Sequence, residues 1–431
     1  MDPAKTPSRN PWAWIPSLYF AEGLPYVVVM TVSVIMFKGL GLSNTDVALY
    51  TSWLYLPWVI KPLWSPMVDL LRTRRWWIWW MQLIIGAGFA GVALALPTPH
   101  FVRASLAFLW LLAFSSATHD IAADGFYMLA TTEQEQAWFV GIRSTFYRVA
   151  TIAGQGLLVM LAGQLQEHTG NPRLGWMVSF GSAAAAFVGF GLYHAWILPR
   201  PLADVRGDLA SAGKFATEFG RTFVAFFQKP RIGLLLLFLL FYRFAEAQLV
   251  KMVSPFLLDG RDVGGLGLTT TEVGLVYGTV GVIALTLGGI LGGVVVARRG
   301  LKFWLWPMVL VMHVPDAVFV FLAYVQPTNL TLISACLALE QFGYGFGFAA
   351  YMLYMIYIAR GPHQTAHYAI CTGFMALGMM LPGMWSGWLQ DHLGYPHFFL
   401  WVLLATLPGF AVTALIPLDR EFGRRGREEV K

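Results

Sequence analysis

Charged side chains are scarce in this sequence. Only 12% of its 431 residues are Asp, Glu, Lys or Arg, whereas soluble globular proteins contain about 25%. Hydrophobic residues make up 57% of the chain, and its mean hydropathy is +0.61. No polar stretch between the apolar windows is long enough to form a soluble domain. The composition therefore indicates an all-α membrane protein.

Cysteine is also rare, and several catalytic motifs are missing. The two cysteines, Cys336 and Cys371, lie in apolar windows, which argues against a disulfide framework. The sequence has no GxxxxGK[ST] phosphate loop, no HExxH zinc motif and no nucleophile elbow. We therefore predict no direct use of ATP, no metal, no cofactor and no enzymatic activity.

The basic excess does not indicate a nucleic-acid partner, although the formal net charge is +6. Lys and Arg occur between apolar windows, where they orient a chain in a lipid bilayer. A hydrocarbon core of ~30 Å is crossed by about 20 apolar residues. Such windows predict twelve spans, at about 12–36, 46–64, 76–96, 102–128, 139–165, 174–197, 231–257, 271–297, 301–325, 330–357, 366–389 and 397–416.

The segments between the spans alternate in basic charge. The poorer side has only Lys38, Arg103, Arg173 and Arg261. The richer side has the remaining clusters, which are Lys5 with Arg9, Arg72 with Arg74 and Arg75, 200–231, Arg298 with Arg299 and Lys302, Arg360, and 420–431. By the positive-inside rule, both termini are predicted to lie in the cytoplasm, which requires an even number of spans.

The two halves of the sequence resemble each other. FAEG at 20–23 matches FAEA at 244–247, and GLSNTDV at 41–47 matches GLTTTEV at 267–273. A nearly constant offset of this kind predicts two pseudo-symmetric copies of a six-helix unit, parallel in the membrane.

The longest polar segment divides these copies. We predict an N-terminal six-helix half at 1–198, a cytoplasmic linker at 199–230, and a C-terminal six-helix half with a basic tail at 231–431. The linker contains an amphipathic patch of phenylalanines, which predicts a surface helix. These phenylalanines are Phe215, Phe219, Phe223 and Phe226.

Local spacing predicts helix starts and close helix packing. Ser43 with Asp46 and Thr269 with Glu272 have the spacing of a capping box before spans 2 and 8. Glycines four residues apart in spans 8 and 10 predict close helix contacts. These glycines are Gly288, Gly289, Gly292, Gly293, Gly343 and Gly347.

Span 4 contains SSATHDIAADGFYMLA at 115–130, which places ionisable residues in an apolar run. Asp120 and Asp124 are one helical turn apart and share a face. Because such residues are rare at membrane depth, we predict that Asp120, Asp124 and His119 act in proton coupling or gating. A structural role is the alternative, particularly for His119 as a hydrogen-bonded core residue.

The cytoplasmic end of span 4 is expected to lie near basic residues. Lys61, Arg143 and Arg148 are the nearest, so an ion-pair network that opens and closes is predicted there. In the turn after span 2, Asp69 precedes three arginines. An acid with bases at such a turn can lock helix ends in one conformational state.

Span 1 contains Glu22 three residues before Pro25. A proline there removes a backbone donor, so we predict that span 1 is broken near its middle. Broken helices hold ions and substrates in secondary transporters, which makes Glu22 and its counterpart Glu246 candidates for proton coupling. Arg243 is three residues from Glu246 and could pair with it within one helix.

Further polar residues lie near the predicted middle of the membrane. Arg148 and Arg243 are predicted to hold an anionic group of a substrate, and Glu340 lies at a similar depth in span 10. His313 and Asp316 lie at this depth in span 9. The predicted substrate-binding residues are Arg148, Arg243, Glu340, Gln341, Tyr344 and Tyr242.

Aromatic residues and glycines alternate around Tyr344 in span 10. This pattern is compatible with stacking of sugar rings, although ordinary apolar helix packing produces it as well.

Several longer motifs are distributed over the two halves of the sequence. They are EGLP at 22–25, KPLWSPMVD at 61–69, SSATHDIAAD at 115–124, FYR at 146–148, FYRFAEA at 241–247 and LEQFGYGFGFAAYM at 339–352. Together with twelve spans and an acid-and-arginine turn after span 2, the chain resembles the major facilitator superfamily. Within it, the motifs are similar to those of the AmpG family of muropeptide permeases.

The resemblance implies proton-driven import of anhydromuropeptides, which are products of cell-wall turnover, across the inner membrane of a Gram-negative bacterium. We expect alternating access by a monomer. Transport of another anionic solute, such as acetyl-coenzyme A or an oligosaccharide, is the alternative. Weaker alternatives are a membrane-embedded acyl or glycosyl transferase that uses His119 and Asp120 as a base pair, and a receptor that does not transport.

Overall fold

The computed structural model describes residues 9–206, 212–361, 363–419 and 422–424 of the chain. Within these ranges it describes all side chains except those at 66, 69, 133, 137, 212–216, 218 and 219. The predictions for the side chains of Asp69, Phe215 and Phe219, and for most of the basic tail, lie outside the described residues. Every regular element in the described ranges is helical, which confirms the predicted all-α class.

The described residues form nineteen α-helices, nine of which precede the central polar segment. They are α1 (Ile15–Val27), α2 (Ser33–Gly39), α3 (Asn44–Trp53), α4 (Leu56–Leu71), α5 (Arg74–Ala95), α6 (Phe101–Ala130), α7 (Glu133–Thr151), α8 (Val159–Thr169) and α9 (Pro172–Ile197). Short 3-10 or π-helical segments adjoin them at Pro11–Ala13, Val28–Val32 and Ile152–Leu158.

Ten α-helices follow. They are α10 (Ala212–Phe227), α11 (Ile232–Phe241), α12 (Phe244–Leu258), α13 (Thr270–Val273), α14 (Val282–Arg299), α15 (Leu301–His313), α16 (Ala317–Val325), α17 (Leu330–Ala359), α18 (Gln364–Leu404) and α19 (Leu407–Leu415). Further 3-10 or π-helical segments lie at Arg261–Val263, Gly274–Gly281 and Val314–Asp316.

Ten helical stretches of the described residues are long and apolar enough to cross a membrane, judged by length and composition. The last, Gln364–Leu415, contains predicted spans 11 and 12, which separate at Gly394. Gly394 has a φ of 70°, a value that residues with a side chain rarely adopt. Predicted span 2 is divided at Leu54 and Tyr55 between α3 and α4. These two features account for the difference from the twelve predicted spans.

The predicted break in span 1 is wrong. The helix continues through Pro25 to Val27, and a π-helical turn at Val28–Val32 then leads into α2. The amide of Val28 donates to the carbonyls of Leu24 and Pro25, so hydrogen bonding continues across the junction with the π-helical turn.

The described contacts divide the chain into two compact units. The first comprises Met1–Met36 and Ile60–Glu218, and the second comprises Phe37–Val59 and Phe219–Lys431. The predicted boundaries at 198 and 230 stay predictions. Residues of predicted span 2 up to Val59 pack with the second unit, because α3 lies against α18.

In the first unit, α5 packs between α6 and α9, and α1 packs along α7. An apolar cluster of this unit contains Trp14 and Phe126, whose rings meet edge to face with centroids 5.5 Å apart. Because both rings are fully buried, they fix α1 against α6, which carries the predicted functional acids.

In the second unit, α17 packs against α14 and α15, while α12 packs against α18. The predicted close contacts are present at Gly288, Gly292, Gly343 and Gly347, whereas the prediction is wrong for Gly293, which has open space around it. A methyl group added at Gly288 would overlap the Phe342 carbonyl, and one at Gly343 would overlap the Val311 carbonyl. These glycines therefore set the close approach of α14 and α15 to α17.

The predicted capping box at Thr269 is complete. Thr269 Oγ1 accepts from the Glu272 amide at 3.2 Å, and Glu272 Oε2 accepts from the Thr269 amide at 2.8 Å. At the first copy, Ser43 Oγ accepts from the Asp46 amide at 3.1 Å but donates to the Asp46 carboxylate at 2.8 Å. Asp46 is one methylene shorter than glutamate, so the reciprocal bond is replaced by a side-chain bond.

The predicted helix in the central segment is present as α10. Its Phe226 is fully buried and lies 5.5 Å, between ring centroids, from His367. His367 also bonds the Thr222 carbonyl at 3.2 Å. This end of the helix therefore packs into the second unit and is not a free surface element.

Candidate functional site

The first unit places two ion pairs on the shared face of α6. Lys61 Nζ lies 3.5 Å from Asp120 Oδ2, and Arg143 donates from Nη2 to Asp124 Oδ1. Tyr19 donates from its hydroxyl to the same Asp124 oxygen at 3.1 Å. Two ion pairs therefore lie at this end of span 4, with basic residues contributed by α4 and α7, and a network that opens and closes stays a prediction.

Aromatic rings hold the guanidinium of Arg143 in place. Its Cζ lies 4.2 Å from the ring centroid of Tyr19 and 4.3 Å from that of Tyr127. A cation between two ring faces is attracted to both by their quadrupoles, in addition to its ion pair with Asp124. Protonation of Asp124 would weaken one of these three interactions and leave the two ring contacts.

The side chains of the two acids of α6 differ in solvent exposure. The side chain of Asp120 is 13% exposed, whereas that of Asp124 is 48% exposed. Glu22 of α1 is also buried and interacts electrostatically with both of them, and no described residue bonds its Oε2. Like charges that share a buried site favour binding of a proton, because their repulsion is then relieved.

His119 belongs to a buried chain of hydrogen bonds. Its Nε2 lies 2.9 Å from Gln82 Nε2, and Gln82 Oε1 lies 2.8 Å from His194 Nδ1. His194 Nε2 in turn lies 2.9 Å from Ser17 Oγ. This chain links α6, α5, α9 and α1, which favours the structural alternative for His119.

The turn after α4 is fixed by an acid that the sequence argument did not single out. Asp204 accepts hydrogen bonds from the backbone amides of Arg74 at 2.8 Å and Arg75 at 3.0 Å. Arg74 Nη1 donates to the Gly125 carbonyl at 2.9 Å, on the helix that carries Asp124. The predicted locking role of this turn stays a prediction, and these bonds give its connections within the first unit.

Arg148, in the last turn of α7, is half-buried. It forms no ion pair with any acidic side chain that the structure describes. Arg148 therefore differs from Arg143, whose charge is already neutralised by Asp124.

The second unit has two interrupted helices where its buried charges lie. The chain leaves α11 at Phe241 and enters α12 at Phe244, and Arg243 between them is non-helical, with φ −112° and ψ 20°. A 3-10 turn at Val314–Asp316 separates α15 from α16. Broken helices of the kind predicted for span 1 therefore occur in predicted spans 7 and 9.

Three acidic side chains converge at these breaks. Glu246 of α12, Asp316 of the 3-10 turn and Glu340 of α17 each place one carboxylate oxygen within 4.8 Å of the other two. Their side chains are at most 1% exposed. Gln341 donates from Nε2 to Glu340 Oε2 at 3.0 Å. We call Glu246, Asp316 and Glu340 the acidic triad.

The predicted pairing of Arg243 with Glu246 is not a pair within one helix, because Arg243 precedes α12. The two side chains still interact electrostatically. Neither oxygen of Glu246 accepts a hydrogen bond from a described residue. Arg243 donates to the hydroxyl of Tyr344, and its Cζ lies 4.7 Å from the ring centroid of Phe348.

Tyr242 and Tyr344 differ in their access to a ligand. Tyr242 is fully buried and donates from its hydroxyl to the Gly347 carbonyl at 3.0 Å, an arrangement that favours packing. Tyr344 is half-buried beside Arg243. Of the two predicted substrate contacts, Tyr344 is therefore the better placed.

Two buried charges near this region were not singled out from the sequence as site residues. Lys251 of α12 is 1% exposed; its Nζ donates to Thr51 Oγ1 at 2.9 Å and lies 5.1 Å from the ring centroid of Tyr55. The other is Asp316, which was noted only for its depth. Its proximity to Glu246 and Glu340 depends on contacts between distant spans, which spacing alone does not encode.

Comparison with known proteins shows which families and relatives this chain is similar to. Residues 21–196 match the model of the BT1 family. The putative transporter AmpG 4 of Rickettsia conorii is 25% identical over 407 residues, covering 92% of this chain and 94% of the relative. The anhydromuropeptide permease of Escherichia coli is 24% identical over 423 residues, covering 94% of this chain and 80% of the relative.

Solved structures have the same fold. The nucleoside transporter NupG superposes with a TM-score of 0.70 at 14% identity, covering 94% of this chain and 99% of its own. A D-xylose-proton symporter gives a TM-score of 0.70 at 14% identity, covering 95% and 97%. The chain is thus a multi-pass membrane transporter with the major facilitator fold. It resembles the AmpG permeases, and its relatives are transporters, in agreement with the prediction that it is not an enzyme.

Proposed function

We propose that this chain is a proton-coupled importer of anhydromuropeptides or closely similar anionic sugar-peptides, working by alternating access in a bacterial inner membrane with both termini in the cytoplasm. The observation that carries the proposal is the charge network of the first unit, where Asp120 pairs with Lys61, Asp124 pairs with Arg143, and buried Glu22 interacts electrostatically with both acids. The AmpG permeases that the chain resembles support the substrate class.

The coupling step uses the balance of charge in this network. With Asp120 ionised, its ion pair with Lys61 holds α6 against α4. A proton on Asp120 removes the negative charge and releases Lys61, so the contact between the helices weakens. Protonation of a carboxylate thereby favours one conformation of the transporter, and release of the proton on the other side favours the return.

The substrate is held by arginines. Arg148 has no acidic partner among the described residues, and its guanidinium can donate paired hydrogen bonds to a carboxylate. Arg243 lies beside the half-buried Tyr344, whose ring offers a face for a sugar. Within the first unit, Arg148 would bind a carboxylate of a sugar-peptide; within the second unit, Tyr344 would stack on a sugar ring.

The test is uptake of labelled anhydromuropeptide by proteoliposomes with and without an imposed proton gradient. We expect accumulation that needs an inward gradient and collapses on addition of a protonophore. Uptake of labelled acetyl-coenzyme A or an oligosaccharide under the same gradient, without uptake of muropeptide, would refute the substrate and keep the transporter. Equal accumulation with and without the proton gradient would refute proton coupling.

A further inference from the structure

We propose that the acidic triad is a binding site for a metal cation of the size of Na⁺ or Ca²⁺. Binding at Glu246, Asp316 and Glu340 is a property of the second unit alone. Any use of the ion to drive transport rests on the proposed function, and the binding itself does not.

The spacing of the triad fits an ion of this size. One oxygen from each carboxylate lies within 4.8 Å of the other two, so an ion centred among them would lie within about 2.8 Å of each oxygen. Hard cations such as Ca²⁺ take oxygen ligands at about 2.3–2.6 Å.

Five of the six triad oxygens lack a hydrogen-bond donor among the described residues; the sixth, Glu340 Oε2, accepts from Gln341. Both oxygens of Glu246, both of Asp316 and Oε1 of Glu340 are buried and accept no hydrogen bond from a described residue. Burial of carboxylate oxygens without compensation is costly, and three acids together add mutual repulsion. A cation bound among them would remove both penalties.

The basic groups around the triad have other contacts. Arg243 donates to the Tyr344 hydroxyl, and Lys251 Nζ donates to Thr51 at 2.9 Å. His313 Nδ1 is 3.7 Å from Asp316 Oδ2, beyond hydrogen-bond distance, while its Nε2 lies 3.2 Å from the Tyr242 carbonyl. Arg243 interacts electrostatically with Glu246, but no described residue hydrogen-bonds an oxygen of Glu246 or Asp316, so these oxygens are open to a bound cation.

The helix breaks provide a second reason. Glu246 lies in the first turn of α12, directly after the interruption at Arg243, and Asp316 lies in the 3-10 turn between α15 and α16. Interrupted helices expose backbone carbonyls that complete the coordination of small cations in secondary transporters. Carboxylates and interrupted backbone therefore coincide here on two separate spans.

The experiment measures equilibrium binding of radioactive sodium and of radioactive calcium to the purified full-length protein in detergent. We expect saturable binding of one of the two ions, whichever the site prefers, that excess choline does not displace. In Asp316→Asn and Glu340→Gln, the Kd for this ion should rise at least about tenfold, since each removes a charged ligand.

Glu167→Gln is the matched control, because Glu167 is exposed at the end of α8 and distant in sequence from the triad. Its ion affinity should equal that of the wild type. Variant folding is checked by the melting temperature without ions, which should stay close to the wild-type value. The bound ion should raise the melting temperature of the wild type, but not of Asp316→Asn.

Absence of saturable binding of either ion to the folded wild type would overturn the proposal. Equal affinities of the wild type and Asp316→Asn would also overturn it. Both results would leave the proposed transport function standing, because no substrate or gradient enters the assay. Conversely, a protein that moves no muropeptide could still bind the ion.

Discussion

Lys38 Nζ lies 2.6 Å from Asp259 Oδ1. This ion pair joins the end of α2 to Asp259, the residue that follows α12. The other Asp259 oxygen accepts hydrogen bonds from Tyr395 at 2.6 Å and from Asn44 at 3.3 Å. Asn44 also donates to Gln390 Oε1 at 2.6 Å. One carboxylate therefore connects α3 and α18 in the second unit.

Loss of this carboxylate contact should destabilise the packing of Phe37–Val59 within the second unit. The side chains of Lys38 and Asp259 are only 12% and 17% exposed, so solvent screens their attraction weakly. We expect Lys38→Met and Asp259→Asn each to lower the free energy of unfolding by about 1–3 kcal/mol. The measurement is thermal unfolding in detergent.

The double variant provides the decisive comparison for this pair. If Lys38 and Asp259 act together, their combined loss should be smaller than the sum of the single losses. Lys302→Met, at an exposed lysine, should leave stability within about 0.5 kcal/mol of the wild type. Additive losses would show that the two residues stabilise the unit independently.

The two acids of α6 should differ in their effect on coupling. Asp120 is mostly buried against Lys61, so Asp120→Asn should abolish accumulation driven by a proton gradient and retain exchange of substrate across the membrane. Asp124 is about half exposed, so Asp124→Asn should reduce accumulation without abolishing it. Uptake and counterflow in proteoliposomes measure both, with Glu167→Gln as the control. Normal accumulation by Asp120→Asn would remove Asp120 from the mechanism.

Periodicity and spacing predicted the helical class, the apolar windows and the acids on the face of α6, because these depend on neighbours along one chain segment. The predicted break at Pro25 was wrong because the helix continues through the proline to Val27 and joins the π-helical turn at Val28–Val32. The acidic triad and the Lys251 bond to Thr51 join residues far apart in sequence, and no local pattern specifies which helix faces meet. These contacts are determined by how the helices pack against one another, which cannot be read from the sequence alone.

Substrate affinity should depend on the geometry of Arg148 as well as its charge. Arg148→Gln should raise the KM for uptake by about tenfold or more, because a charge-assisted bond to the substrate carboxylate is lost. Arg148→Lys should restore part of the affinity, since lysine keeps the charge but not the paired donors. The assay is initial uptake rate against substrate concentration. An unchanged KM in Arg148→Gln would place the anion site elsewhere, with Arg243 the next residue to test.

Close packing of α14 on α17 can be tested with one methyl group. A Cβ at Gly345 would overlap the Leu285 carbonyl, which belongs to the helix backbone and cannot move aside easily. Gly345→Ala should therefore cost about 1–3 kcal/mol of stability. Gly293 has open space around it, so Gly293→Ala should be neutral or stabilise the helix by up to about 1 kcal/mol. The measurement is the melting temperature of each variant. Equal melting temperatures for Gly345→Ala and Gly293→Ala would mean that the close contact of α14 with α17 does not require glycine at 345.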